Sequence, residues 1–285
     1  MTPELSVVVA SVNGLPYLAA CLEALERHAP GAEVVVADWT DEPTRALVRE
    51  RFPSVTLLSF DEPRTVPELR AAGIFAATAP YVAVIEDHCN VTADWADRLL
   101  AAHREGHAVV GGPVRNVVTG RARDWAAFLC EYSAFLEPLP RGPAGALTGM
   151  NVSYSREAVA AMADLLEQGR WESDLHPRLQ ERGFVLWCEP DAVIEHAKDF
   201  GFREFASQRY HYSRSYAGMR NRGLGRRRWL YAAGSPLLVP LAIARVARGI
   251  LSRPAVRGPG ARAAGLIAAY AAIWAYGELV GYALG

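Results

Sequence analysis

VAVIEDHCN, residues 82–90, runs from four apolar residues straight into Glu86, Asp87 and His88. A short, unbroken apolar run rich in β-branched residues reads as a strand buried on both faces. Two carboxylates and an imidazole then stand together at its end. Three similar runs precede it: LSVVVAS (5–11), EVVVAD (33–38) and VTLLSF (55–60). The segments between them read as helices. In the first, LPYLAACLEALERHA, residues Leu15, Leu18, Leu22 and Leu25 keep helical spacing, and TDEPTRALVRERF and PELRAAGIFAAT (67–78) follow the second and third strands. Strands alternating with helices of about 10 to 15 residues predict βαβ units and a mostly parallel sheet flanked by helices. Such sheets bind ligands beyond the carboxyl ends of their strands. Ser11 and Asn13, residues 38–41, and residues 86–88 are therefore the first candidates.

Neither G-x-G-x-x-G nor G-x-x-x-x-G-K-[ST] occurs, so two standard phosphate loops are absent, and a bound nucleotide would be held by carboxylates and a metal. Between residues 91 and 200 the pattern loosens. WADRLLAAHR predicts a helix, HAVVGGPVRN a strand running into a glycine turn, and ALTGMNVSYSREAVAAM a turn, strand and helix. WESDLHPRLQERG predicts a short helix ending at Gly183, and FVLWCEPDAVIEH two short strands around Pro190.

The net charge of −1 conceals an asymmetry. Residues 1–198 hold 17 basic against 28 acidic side chains, and residues 199–285 hold 13 arginines against 3 acids. The tail is also apolar. Residues 229–244 carry no charge, and 263–285 are interrupted only by Glu278. The first run reaches roughly 24 Å as a helix and the second roughly 34 Å, against a hydrocarbon core of about 30 Å. Pro236 and Pro240 weaken the first as a span, and Arg226–Arg228, Arg245, Arg248, Arg253, Arg257 and Arg262 flank it on both sides. The positive-inside tendency puts both flanks on the cytoplasmic side, so an in-plane or re-entrant first segment fits best. The reading is a domain at 1–222 followed by a basic, membrane-associating segment at 223–285, with helices near 229–250 and 263–285. Two buried helices of a soluble bundle would leave many arginines unpaired. Nucleic acid is the weaker reading and no such partner is expected, because the arginines sit among apolar runs and not on a polar helix. The cysteines at 21, 89, 130 and 188 have neither disulfide-framework nor zinc spacing. The N-terminal apolar run is too short for a signal peptide and lacks a basic region before it. The expected location is the cytoplasmic membrane, with the chemistry on its cytoplasmic face.

Each candidate has a plainer alternative. Glu86, Asp87 and His88 offer ligands for Mg2+ or Mn2+ that would neutralise a diphosphate leaving group, or they form a polar turn capping the next helix. Asp38 can accept hydrogen bonds from a base or ribose, but Asp-x-Thr-Asp is also an ordinary helix cap. Glu172 and Asp174 can remove a proton from a hydroxyl, or they complement a helix dipole. His196 after AVIEH is on its own more often structural than a ligand, and it is carried as a third candidate ligand beside Asp87 and His88. The arginines of 202–222 suit phosphate recognition, or they solvate a basic helix at a membrane surface.

The order of these features resembles the family-2 glycosyltransferases of the GT-A nucleotide-diphospho-sugar transferase fold. They look closest to the membrane-associated members that build exopolysaccharide or lipid-linked glycans. The resemblance covers roughly residues 5–222, and the apolar helical tail is similar to that of many members. It implies that Ser11 and Asn13 line the nucleotide and that Asp38 of D38-W-T-D41 binds the base. It also places Arg70 of PELRAAGIFAAT near the diphosphate, and VIEDH in the place of the D-x-D motif. LTGMNVSYSREAV, with Gly149 and Asn151, resembles the strand beside the acceptor, where Asp174 is also expected. WESDLHPRL resembles the helix carrying the catalytic base. Aligned on Leu175, the base is Glu172 where the family has Asp, and His88 stands where the last metal-binding Asp would be. An imidazole tilts the preference toward Mn2+ over Mg2+. The Q-x-x-R-W of processive synthases falls on Q208-R-Y-H-Y, which argues against processive synthesis.

The resemblance implies an inverting, metal-dependent transferase. It would move a sugar from a nucleotide-sugar donor to a lipid-linked or glycan acceptor in cell-surface glycan synthesis. Glu172 is the expected base. Arg70, Glu86, Asp87, Arg209 and Arg214 are expected around the donor. Two alternatives stay open: a nucleotidyltransferase that activates the sugar, though SVNGLPYL lacks the Gly-rich basic loop this usually needs, and a non-catalytic membrane-bound assembly factor with a decayed GT-A domain.

Overall fold

The structure is a computed structural model that describes residues 2–221 and 223–284; Met1, Arg222 and Gly285 lie outside the described residues. The chain opens with β1 (Leu5–Ser11), α1 (Tyr17–His28), β2 (Glu33–Asp38), α2 (Glu42–Arg51), β3 (Thr56–Ser59), α3 (Val66–Ala76) and β4 (Tyr81–Glu86). These are the alternating units the apolar runs predict. After β4 come β5 (Cys89–Val91), α4 (Trp95–Arg104), β6 (Val109–Gly111), β7 (Val114–Asn116) and α5 (Ala122–Tyr132). Next are β8 (Gly142–Pro143), β9 (Val152–Ser155), α6 (Arg156–Ala161), α7 (Ala163–Glu167), α8 (Glu172–Glu181), β10 (Leu186–Cys188) and β11 (Ile194–His196). The chain closes with α9 (Phe202–Asn221), α10 (Arg228–Gly234), α11 (Leu238–Leu251) and α12 (Pro254–Leu284).

The chain divides into two compact units. Residues 1–117 and 135–198 form the first, and 118–134 with 199–285 form the second. The sequence reading divides the chain instead at 222/223. It gives no account of α5, which lies in the second unit.

The first unit is an eight-stranded sheet in the order β3-β2-β1-β4-β9-β6-β10-β8. Strands β3, β2, β1 and β4 run parallel, whereas β9 is antiparallel to both β4 and β6. Every residue of β1 is buried, as its unbroken apolar run demands. Val8, Val35, Val82, Val84, Ile74, Tyr154, Leu175 and Leu179 belong to one core cluster between sheet and helices. A small second sheet, β5-β11-β7, joins the segment after β4 to the segment before residue 198. The parallel pairing of β1, β2 and β4 puts Ser11, Asp38 and Glu86 at one edge of the large sheet.

The second unit is helical. Its runs Gly225–Leu251 and Pro254–Leu284 are 27 and 31 residues long and, by length and composition alone, apolar enough to cross a membrane. A 3-10 turn at Ser235–Leu237 interrupts the first where Pro236 falls. The second begins at Pro254, before the uncharged stretch, because proline suits the first position of a helix.

Candidate active site

The turn after β1 is organised by one carboxylate. Asp87 is fully buried. Its Oδ2 accepts the backbone N–H groups of Val12 (2.9 Å), Asn13 (2.6 Å) and Gly14 (3.0 Å), and its Oδ1 accepts Asn13 Nδ2 (2.6 Å). His88 Nδ1 lies 3.2 Å from Oδ1. Burial pushes the Asp87 carboxyl up, but the bonds and charge of His88 and the bonds of Asn13 outweigh it and leave it below the usual carboxylate range. Asp87 therefore fastens β4 to the turn after β1. Ser11 is buried at the base of that turn.

Asp38 does similar work at the end of the adjacent strand. It accepts Arg45 Nε at 2.9 Å and Thr40 Oγ1 at 2.7 Å, and Arg45 reaches on to Asp61 and to the carbonyl of Phe60. Beside it opens a cavity of about 440 Å3, lined among others by Asn13, Gly14, Trp39, Thr40 and Thr44. Trp39 is 37% exposed there and offers an aromatic face. Within residues 38–41 the sequence assigns base binding to Asp38, and a tryptophan between two acids at the end of a buried strand is the signal for Trp39.

At the end of β4 the arrangement becomes chemical. Arg70 on α3 is 5% exposed and pairs with Glu86 through one amino group and with Glu172 through the other. Trp171 stacks near it, 5.9 Å from the guanidinium. The Glu172 carboxylate lies over the Cα of Gly149, where any Cβ would collide with it. Glycine at 149 is thus what lets Glu172 occupy this place. Three segments far apart in sequence converge on one buried Arg–carboxylate cluster.

Other expected site residues are placed differently. Asn151 is a framework residue: its Oδ1 accepts Trp95 Nε1 (2.9 Å), and its Nδ2 donates to the carbonyls of Pro113 (3.0 Å) and Ala192 (2.8 Å). Both amide hydrogens are committed, so it ties core segments together and offers no donor to an acceptor. Asp174, on α8 like Glu172, faces Arg170 (3.7 Å) in a surface groove with Arg178 and Glu181. Arg209 and Arg214 belong to the second unit. Arg209 is buried there against the Trp274 ring (4.0 Å) and Glu131 (3.9 Å), so its guanidinium serves helix packing. Arg214 lines a groove with His211 and Arg228.

Whether Asp87, His88 and His196 can hold a divalent cation is a question of lone pairs. Such an ion needs several donors converging on one point. Asp87 spends its oxygens on four N–H bonds, and Glu86 is committed to Arg70. His88 Nε2, 3.6 Å from Glu86 Oε2, faces the remaining carboxylate oxygen. His196 meets His88 edge-on with ring centres 4.8 Å apart. Burial first, then His88 and Lys198, hold its imidazole well below its usual pKa. Among the described residues no group of three or more His, Cys, Asp or Glu side chains could hold a metal ion. The residues present do not fit the cation that the resemblance implies.

Lys198, which the sequence reading missed, stands beside this site. It is 9% exposed, its Nζ donates to Asn13 Oδ1, and it lies 6.0 Å from the Tyr17 ring. A lysine two residues past the His196 strand was its only signal.

The profile of the family described as Glycosyl transferase family 2 matches residues 6–161, more than half of the chain. Two curated relatives, Polypeptide N-acetylgalactosaminyltransferase 16 of Homo sapiens and of Mus musculus, are each 27% identical over 86 residues. That stretch is 30% of this chain and 15% of theirs, so the match spans a small fraction of those proteins. A mannosyltransferase, PcManGT from Pyrobaculum calidifontis, solved in complex with GDP-Man and Mn2+, superposes with a TM-score of 0.60. It is 18% identical, with 97% of this chain and 87% of that one covered, a likeness of fold. The fold is GT-A, and on the strength of the family match the chain belongs to glycosyl transferase family 2.

Proposed function

We propose that the protein is an inverting glycosyltransferase that moves a sugar from a nucleoside-diphosphate donor to a lipid-linked acceptor during cell-surface glycan synthesis. The observation that carries this reading is the grouping of Glu172, Arg70 and Glu86 at the end of β4, which pairs with β1, the strand whose following turn lines the cavity with Asn13 and Gly14. The nucleoside lies in that cavity with its base against Trp39. The diphosphate runs toward the turn at Asn13 and Gly14. Glu172, fixed by Arg70, takes the proton of the acceptor hydroxyl. The freed oxygen attacks the anomeric carbon from the face opposite the diphosphate. The bond from that carbon to the diphosphate breaks, its electron pair passes to the leaving phosphate oxygen, and the configuration inverts.

Mn2+, as bound in the mannosyltransferase, or Mg2+ would meet only His88 and Glu86 at the rim of this site. Membrane attachment on the cytoplasmic face rests on the two apolar runs and on exposed Trp229, Leu230, Leu237 and Leu241 beside arginines. The nucleotidyltransferase alternative is weaker, because the turn after β1 carries Asn13, Gly14 and Leu15 and no basic residue. The test screens GDP-, UDP-, dTDP- and CDP-sugars for thermal stabilisation and for transfer to membrane lipid extracts. A stabilising donor that is also consumed supports the reading, and a wild-type protein inert to every donor supports the non-catalytic alternative.

A further inference from the structure

The most informative disagreement in the site is between its donor set and the cation expected there. Asp87, the central carboxylate of the motif, is consumed by the turn after β1. Yet a departing diphosphate still gains negative charge that something must meet. The fold supplies a positive charge at that place by another route. Strand β11 pairs with β5, the strand that directly follows His88. The backbone N–H of Ala197 then donates to the His88 carbonyl at 2.9 Å. This register places the next residue, Lys198, over the turn after β1, where its ammonium donates to Asn13 Oδ1. Asn13 in turn donates to Asp87 and lines the nucleoside cavity. The ammonium is thus linked through one side chain to the carboxylate that would have carried the ion. Arg70 stands at the neighbouring Glu86.

We infer that Lys198, with Arg70, takes the place of the divalent cation, so that the enzyme binds its nucleoside diphosphate and turns over without metal. This rests on the transferase reading above. As the bond between the anomeric carbon and the diphosphate breaks, the electron pair stays on the leaving oxygen. The Lys198 ammonium pairs with that charge without giving up a proton. Charge-assisted bonds from ammonium and guanidinium groups suit phosphate oxygens.

The experiment measures calorimetric binding of GDP and UDP to chelator-dialysed full-length protein, in EDTA and in excess Mn2+, for wild type, Lys198→Met and Lys198→Arg. Transfer from the matching sugar nucleotide is followed in parallel. The inference expects the preferred nucleotide to bind in EDTA within about threefold of its Kd in Mn2+. It expects Lys198→Met to weaken binding about tenfold or more with no rescue by Mn2+, and Lys198→Arg to restore most of it. Melting curves matched to wild type establish that Lys198→Met is folded. Binding and transfer that vanish in EDTA and return with Mn2+ overturn the inference and leave the transferase reading standing. Wild-type affinity in Lys198→Met overturns it too. Failure of both nucleotides to bind wild type under either condition, with no sugar nucleotide turned over, overturns the transferase reading and the inference together.

Discussion

At the scale of single residues, the site separates side chains that act from side chains that hold. Gly149 and Asn151 lie two positions apart in one motif and are built for different ends. A methyl group at 149 enters the volume of the Glu172 carboxylate. Gly149→Ala is expected to lower kcat about 100-fold with little loss of stability, since small misplacements of a reacting group are costly. Asn151→Ala removes the partner of Trp95 Nε1 and of the Ala192 carbonyl, and leaves the Pro113 carbonyl with the Ile194 N–H alone. It is expected to cost roughly 3 kcal/mol in urea unfolding, with activity falling only as the folded fraction falls. Equal behaviour of the two variants in kinetics and unfolding would erase the distinction. The motif alone could not make it. A Gly and an Asn beside an expected acceptor groove look alike in sequence, and only the packing around each side chain separates them.

At the scale of elements, α3 and α4 place and steady the site. Thr65 and Glu68 cap α3 reciprocally, which starts the helix one turn before Arg70. Gly73 then lets the helix lie against Val8 of β1, where any Cβ would strike the valine side chain. Gly73→Ala is expected to destabilise by roughly 2 kcal/mol and to lower transfer further by shifting Arg70; thermal melts and kinetics check both. On α4, His103 is buried with Nδ1 facing the His107 carbonyl (2.7 Å) and Nε2 facing Ser153 of β9 (2.8 Å). Burial lowers its pKa to about 4, against 6.5 when unfolded. The unfolded chain therefore takes up a proton first. This contribution is complete above pH 6.5 and is lost as the pH falls toward 4, by up to about 3 kcal/mol. Unfolding curves across that window should show the loss, and His103→Gln should flatten it.

The same scale shows what was legible. The runs at 5–11, 33–38 and 81–86 announce themselves because strands buried on both faces have no polar residues to interrupt them. AVIEH reads as a short strand and becomes β11, but a three-residue strand carries no period that names its neighbours, and its pairing with β5 and β7 appears only in the fold. Lys198 depends on that pairing, and so it stayed hidden.

At the scale of the whole molecule, the chain joins an acidic sheet unit to a basic helical one. Exposed apolar side chains concentrate in the second, where Leu230 is 74% and Leu241 64% exposed. The full-length protein is expected to float with vesicles containing anionic lipid and to stay behind with neutral ones at moderate salt. Replacing Arg226, Arg227 and Arg228 with Gln should weaken flotation without changing the melting temperature. Recovery of the triple variant equal to wild type would show that apolar insertion alone holds the protein. The asymmetry was plain in the sequence, but the division of the chain was not. Helix α5 belongs to the second unit although residues 135–198 of the first unit separate its segment from the next segment of the second.

The central claim is sugar transfer with inversion, driven by Glu172. NMR of the product formed from an α-linked nucleotide sugar tests it most directly, run with wild type and Glu172→Gln. The account predicts a β-linked product from wild type and a rate about 1,000-fold lower from the variant, as for loss of a general base. An α-linked product, or a variant as fast as wild type, would contradict it.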